Sequence, residues 1–118
     1  MGQNFLIQEW VPKRILQAAN IDKDFGVLEI GPGIGVLTQE LCQAAAKVVS
    51  VELDRALLPV LDETLSEYDN VEIVNGDIMK VSLSQVLDER LSGLRLAACA
   101  NLPYNITAFF GIVEHFDK

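Results

Sequence analysis

An Asn-Leu-Pro-Tyr stretch at residues 101–104 carries the strongest chemical signal in the sequence, directly after an apolar run at 94–100. The Asn101 amide and the Leu102 carbonyl can accept hydrogen bonds from an exocyclic adenine amine, and the Tyr104 ring can stack on the base. Such an amine needs orientation more than it needs a strong base. The stretch therefore predicts methyl transfer to an adenine amine, with an unstacked base in single-stranded or loop RNA as the easier target. A proline turn with the tyrosine in the core is the alternative.

A glycine-rich loop at 31–35 is the second signal, because it follows a predicted strand and opens a predicted helix. Glycines at such a place let the backbone turn tightly and approach a ligand. The spacing of Gly31, Gly33 and Gly35 differs from the dinucleotide GxGxxG, and Pro32 lacks the N–H that would bind a phosphate. A cofactor without a pyrophosphate is therefore predicted, and a tight turn with no ligand is the alternative.

Two acidic residues fall where later strands are predicted to end. Glu52 ends the second strand, where this kind of fold holds ribose hydroxyls. Asp77 follows the third strand, where its carboxylate can accept from an adenine amino group while Ile78 offers its N–H and packs on the ring. Alone, Glu52 is equally well explained as a solvated carboxylate, and Asp77 better as an Asx turn. Together with the glycine loop they predict one site for a nucleoside-like ligand.

Strands and helices alternate along the chain, which is how these residues would be positioned. Asp54 is expected to cap the helix that follows the second strand. The order predicts an α/β fold with a parallel, doubly wound sheet whose ligands lie outside the carboxyl ends of the strands. Strands are predicted at 27–30, 47–53, 71–74 and 94–100, and helices at 8–20, 36–46, 55–68, 82–92 and from about Ala108.

Composition limits the class of protein. The 118 residues suit one domain, and a hydrophobic fraction of 50% with a mean hydropathy of +0.26 indicates a sheet buried on both faces. No apolar run approaches the ~20 residues that span a bilayer, and no signal peptide is expected. The net charge of −8 argues against nucleic-acid binding by this segment alone.

The remaining reactive side chains predict no further chemistry. Cys42 and Cys99 are expected to be buried thiols in a reducing cytoplasm. No cluster of His, Cys and Asp has metal-ligand spacing, so no metal site is predicted.

In four blocks taken in order, the chain resembles the rRNA adenine N6,N6-dimethyltransferases, which use S-adenosylmethionine. At Pro32 and Leu102 the chain resembles the housekeeping branch of the family, which acts on small-subunit rRNA, rather than the antibiotic-resistance branch. The blocks lie at 2–6, 29–38, 51–54 with 75–79, and 101–106.

The resemblance implies a Rossmann-like class I methyltransferase fold, dimethylation of adenine N6 in small-subunit rRNA, and a cytoplasmic role in ribosome biogenesis. It implies catalytic roles for Asn101, Leu102 and Tyr104. It implies S-adenosylmethionine contacts from Asn4, Leu6, Gly31, Gly33, Glu52, Leu53, Asp77, Ile78 and Asn101.

The family's methyltransferase domain continues for several more strands and then adds a small helical domain. Residues 1–118 are therefore expected to form the N-terminal part of such a domain, with about four parallel strands, and to be inactive alone. Small-subunit rRNA, or an immature small subunit, would be bound largely by the parts that this sequence lacks. The fourth strand would present an uncovered apolar edge that favours self-association.

Two other functions remain open from the sequence. One is a methyltransferase-like module without catalysis, which binds the cofactor or a protein partner. The other is methylation of a protein glutamine or of a DNA adenine, against which Leu102 and the block at 3–6 argue.

Overall fold

One five-stranded sheet organises the chain. The computed structural model describes the backbone of residues 20–81, 83–102 and 106–113. The strand order is β3-β2-β1-β4-β5, in which the first four strands are parallel and β5 runs antiparallel to β4. The strands are β1 (Phe25–Ile30), β2 (Lys47–Glu52), β3 (Val71–Asn75), β4 (Arg95–Leu102) and β5 (Ile106–Val113).

Helices connect the parallel strands, since a parallel pair cannot be joined by a tight hairpin. A short 3₁₀ turn precedes the second helix. In order they are α1 (Val36–Ala44), the 3₁₀ turn (Arg55–Leu57), α2 (Leu58–Thr64) and α3 (Leu83–Arg90).

Both faces of the inner strands β1, β2 and β4 are largely buried over their described side chains, which explains their apolar runs. On one face, α1 covers alternate residues of the inner strands, and on the other face α3 and its flanks do the same. The first core comprises Phe25, Val27, Leu37, Leu41, Cys42, Ala45, Val48, Ala97 and Cys99. The second comprises Leu28, Val49, Val51, Val86, Leu91 and Leu96.

Local signals set the helix ends. The Asp54 side chain accepts a hydrogen bond from the Ala56 N–H at 3.0 Å, which confirms the predicted cap. The helix predicted at 55–68 instead begins as a 3₁₀ turn and ends at Thr64.

The end of α1 is capped by a side chain from later in the sequence. The Asn70 side-chain amide donates to the carbonyls of Cys42 and Ala45 at the end of α1. This side chain satisfies carbonyls that α1 itself leaves unpaired.

The helix predicted from about Ala108 is wrong, because the chain forms β5 over Ile106–Val113. This segment is rich in β-branched and aromatic residues, and the neighbouring edge of β4 supplies unpaired N–H and C=O groups. The pairing runs from Leu102 opposite Ile106 to Leu96 opposite Val113. The predicted uncovered edge of β4 is therefore also wrong.

Other boundaries differ by one or two residues, as is usual at element ends. β1 begins at Phe25 rather than at Val27, and β4 extends through Leu102 rather than ending at Ala100. The helix predicted at 8–20 lies outside the described residues except for Asn20, which occupies a turn. Among the helices that are described, none is long and apolar enough to cross a membrane.

Replacing Leu61 with alanine should destabilise the fold by about 2–4 kcal/mol, because its side chain in α2 is fully buried and the change leaves a cavity. Val60→Ala on the same helix is the matched control, since Val60 is 40% exposed and should lose under about 1 kcal/mol. Urea unfolding followed by circular dichroism measures both. Equal losses would contradict the burial of Leu61 and the exposure of Val60.

Candidate functional site

The register of the parallel strands brings the predicted site residues at the ends of β1, β2 and β4 to one edge of the sheet. Ile30 of β1 lies opposite Val51 on one side and opposite Ala100 on the other. The next residues, Gly31, Glu52 and Asn101, therefore stand at one level where the strands end. This edge is the place where open parallel sheets bind ligands.

The glycine loop leaves β1 with its first backbone group still in the sheet. Gly31 donates its N–H to the Val51 carbonyl at 2.9 Å. Gly35 then adopts φ +98° as the residue before α1, a conformation that favours glycine. A Cβ on Gly35 would lie 3.1 Å from Thr64 Cγ2 and 3.3 Å from Leu61 Cδ2. The loop is thus held close to α2 as well as to β2.

Glu52 connects the glycine loop to the end of β2. One oxygen, Oε1, accepts the Gly33 N–H at 3.2 Å, and Oε2 accepts the Asp54 N–H at 2.9 Å. A carboxylate offers about four acceptor positions, so these two bonds leave capacity for a further donor. With 6% of its surface exposed, Glu52 is a buried carboxylate at this edge.

The end of β3 is fastened to Glu52 by the backbone. The Glu52 backbone carbonyl accepts from the Asn75 side-chain Nδ2 at 2.8 Å and from the Gly76 backbone N–H at 3.0 Å. Asp77 then uses Oδ1 to accept the Met79 N–H at 2.9 Å, in the Asx turn that its sequence context favours. Its second oxygen is not engaged by that turn, and Ile78 beside it packs against the second core.

Three loops at this edge expose large apolar side chains. Leu53 follows β2 and is 68% exposed. Ile34 in the glycine loop and Met79 after β3 are also exposed, and their sequence context gave no sign of it. These exposed side chains are available to contact a ligand at this edge.

Among the residues expected to contact the target base, the structure describes only the backbone of Asn101 and Leu102. Asn101 and Leu102 belong to β4 and pair with Thr107 and Ile106 of β5, rather than lying in a loop after the strand. Asn4, Leu6 and Tyr104 lie outside the described residues. No group of three or more His, Cys, Asp and Glu side chains in the described part of the chain could hold a metal ion.

Glu29, for which the sequence suggested no role, lies fully buried beneath the site. Its Oε1 accepts from the Thr38 hydroxyl at 2.6 Å and from the Ser50 hydroxyl at 2.7 Å. Its Oε2 is buried and has no hydrogen-bond partner among the described residues. Burial raises the pKa of Glu29 from 4.5 to about 7; the two hydroxyls oppose the rise and the Glu52 charge adds to it. The available signal was an acid inside an otherwise apolar strand.

Cys42 and Cys99 are buried free thiols, as predicted. Burial raises the pKa of both, and the nearby Glu29 carboxyl adds to each rise. Thiols with raised pKa values are poor nucleophiles, so neither offers covalent chemistry.

Comparison with known proteins identifies relatives of this arrangement. A family model described as ribosomal RNA adenine dimethylase matches residues 1–115. The chain is 53% identical over 107 residues to the ribosomal RNA small subunit methyltransferase A of Lachnoclostridium phytofermentans, which covers 90% of the chain. It spans 37% of the length of that relative.

Solved structures share the fold. The 23S rRNA methyltransferase ErmE superposes with a TM-score of 0.58 at 30% identity, over 80% of this chain and 46% of that one. An RNA methyltransferase from Salinibacter ruber, solved in complex with S-adenosyl-L-homocysteine, gives 0.60 at 18% identity, over 92% and 93%. These likenesses confirm the predicted methyltransferase-type α/β fold with four parallel strands.

Gly35→Ala should cost more stability than Gly93→Ala, a matched control. Both glycines have positive φ, so each substitution pays about 1–2 kcal/mol for the left-handed backbone. Only at Gly35 would the new methyl group crowd Thr64, whereas nothing lies within 4 Å at Gly93. We expect about 1 kcal/mol more loss at Gly35, measured by urea unfolding. Equal losses would show that the loop does not press on α2.

Proposed function

We propose that this chain, which belongs to the ribosomal RNA adenine dimethylase family, binds S-adenosylmethionine at the carboxyl edge of its sheet. We propose further that the whole protein transfers methyl groups from that cofactor to the N6 amine of adenines in small-subunit rRNA. The cofactor supplies a methyl group on a sulfonium, an electrophile that needs no metal ion to react.

The Glu52 carboxylate is the single observation that carries the cofactor proposal. It is buried and oriented by two backbone donors, yet it keeps acceptor capacity at the level where the glycine loop leaves β1. Paired ribose hydroxyls are the donors that such a carboxylate binds in this fold. Pro32 offers no N–H to a phosphate, which favours a nucleoside over a dinucleotide.

The β3 end supplies the adenine contacts in this proposal. The oxygen of Asp77 that the turn leaves free would accept from the adenine amino group, and Ile78 would place its N–H against a ring nitrogen. Leu53, exposed at the end of β2, would cover one face of the ring. Gly31 and Gly33 would lie against the remainder of the cofactor, with Asn4 and Leu6 on its methionine side.

Asn101 and Leu102 would act on the substrate amine. Their acceptors would hold the two amine hydrogens, favour a tetrahedral nitrogen and point its lone pair at the methyl carbon, while Tyr104 stacks on the base. The nitrogen would take the methyl group from the sulfonium, the thioether would leave with the bonding electrons, and the amine proton would pass to solvent. Orientation of this kind is a recognised source of rate acceleration.

The acidity of the chain shapes the proposal for RNA. With a net charge of −8, these residues would repel a phosphate backbone. We therefore assign most of the rRNA contact, or contact with an immature small ribosomal subunit, to surfaces beyond these residues, with the cytoplasm as the compartment.

Asp77→Asn should weaken binding of S-adenosylhomocysteine by about 10–100-fold. The new amide keeps an oxygen for the Met79 N–H, so the turn survives, but it presents an NH₂ where the ligand's amino group needs an acceptor. Asp62→Asn is the control, because it makes the same charge change on the exposed face of α2. Isothermal calorimetry on the chain measures all three affinities.

Equal affinities for the two variants would contradict the adenine assignment, and no binding by the parent chain would contradict the cofactor site in this segment. The same pair in the whole protein tests the reaction through tritium transfer from methyl-labelled S-adenosylmethionine to small-subunit rRNA. Cofactor binding without transfer would favour a non-catalytic module.

A further inference from the structure

We propose that Glu29 is a positioning residue of this site: as an uncharged carboxylic acid, it ties the end of β1 to α1 and to β2, and so holds the glycine loop in place against Glu52. The proposal deepens the cofactor assignment and rests on it for its effect on ligand affinity. Its structural part concerns the loop alone.

The hydrogen bonds that the Thr38 and Ser50 hydroxyls donate to Glu29 connect the segments on either side of the glycine loop. Thr38 lies in the first turn of α1, nine positions after Glu29, so their bond joins the two segments between which the loop runs. Ser50 lies opposite Glu29 in β2, two residues before Glu52. One carboxyl oxygen thus fixes both the loop and the strand that carries the ribose acceptor.

The unpaired oxygen of Glu29 favours the protonated, neutral form of its carboxyl group. A charged oxygen with no donor in a fully buried position is far more costly than a neutral carboxylic acid there. The hydroxyls of Thr38 and Ser50 both donate to the other oxygen, which suits a carbonyl acceptor. The folded chain therefore keeps this proton near neutral pH, in agreement with the raised pKa of Glu29.

The groups packed around Glu29 offer it no counter-charge. In the described residues, the titratable groups that act on it or feel it are Cys42 on α1, Cys99 on β4 and Glu52 on β2. The raised pKa values of both cysteines keep them neutral, and Glu52 carries the same sign. Ionisation of Glu29 would put a second negative charge near the carboxylate that holds the Gly33 N–H.

The contribution of Glu29 to the stability of the fold should decrease as the pH rises. The pKa of Glu29 is about 7 in the folded chain and near 4.5 when unfolded, so between these values only the folded chain keeps the proton. Its contribution to stability is complete below the unfolded pKa and is lost as pH rises through the folded pKa. The loop should loosen over the same range.

The first test needs no variant of the chain. In ¹³C-labelled protein, the Glu29 carboxyl signal and the Gly33 amide signal should titrate together with a midpoint near pH 7. A Glu29 midpoint below 5, or a Gly33 amide that does not follow it, would overturn the positioning role.

The second test compares stabilities. From pH 5 to pH 8 the folding equilibrium of the parent chain should fall by on the order of 50–100-fold relative to Glu29→Gln, which is isosteric and does not ionise. Glu63→Gln, on the exposed surface of α2, should follow the parent chain. Thr38→Val, which removes one bond and keeps the carboxyl, serves if the glutamine variant does not fold, and it should raise the midpoint of Glu29 further. Parallel pH curves for parent and Glu29→Gln, or an unmoved midpoint in Thr38→Val, would overturn the proposal.

The third test measures affinity for S-adenosylhomocysteine at pH 6 and pH 8.5. At pH 8.5 the parent chain should bind S-adenosylhomocysteine about fivefold more weakly than Glu29→Gln does. The reason is that the ionised Glu29 then places a like charge near Glu52. The same pH dependence in both would overturn the effect on the site. No binding at any pH would instead overturn the proposed function, and the Gly33 titration would then decide the positioning role alone.

Discussion

The register of β1 with its two neighbours is the constraint on which the site depends. Ile30 faces Val51 and Ala100 at once, so the chain segments after β1, β2 and β4 emerge together. A slip of one residue in a sheet moves every side chain to the opposite face. Here it would lift Glu29 out of the α1 core and separate Glu52 from the glycine loop. Buried apolar residues on both faces make such a slip costly, so the core itself enforces the alignment of the polar edge.

Much of this arrangement could be predicted because the signals are local and agree with one another. Short strands of β-branched residues, a glycine loop before a helix and a capping aspartate each favour the same alternation. The position of Glu52 followed from its place at a strand end, and that of Asp77 from turn chemistry. The residues alone predicted methyl transfer to an adenine amine, and resemblance to a family added the expected cofactor, S-adenosylmethionine, and the expected substrate, small-subunit rRNA.

The rest depended on contacts that a sequence does not display. The segment at Ile106–Val113 has apolar spacing compatible with either a helix or a strand, and the available edge of β4 determines which one forms. Glu29 was overlooked for a similar reason. Its partners, Thr38 and Ser50, lie in different elements and meet only once β1, α1 and β2 are packed. The exposure of Ile34 and Met79 is likewise a property of loop geometry rather than of residue type.

The topology of the sheet also orders events during synthesis of the chain. β1 is the central strand of the sheet, yet one of its two partners, β4, is synthesised after β2 and β3. Phe25 therefore cannot pair with Arg95 until β4 has been made. Until then a nascent chain presents an apolar strand with a row of free backbone groups along one side. Pairings between distant strands form slowly and leave such edges open to association. The β1–β4 ladder is therefore the step at which translation speed and chaperone contact would have the greatest effect on the yield of folded chain.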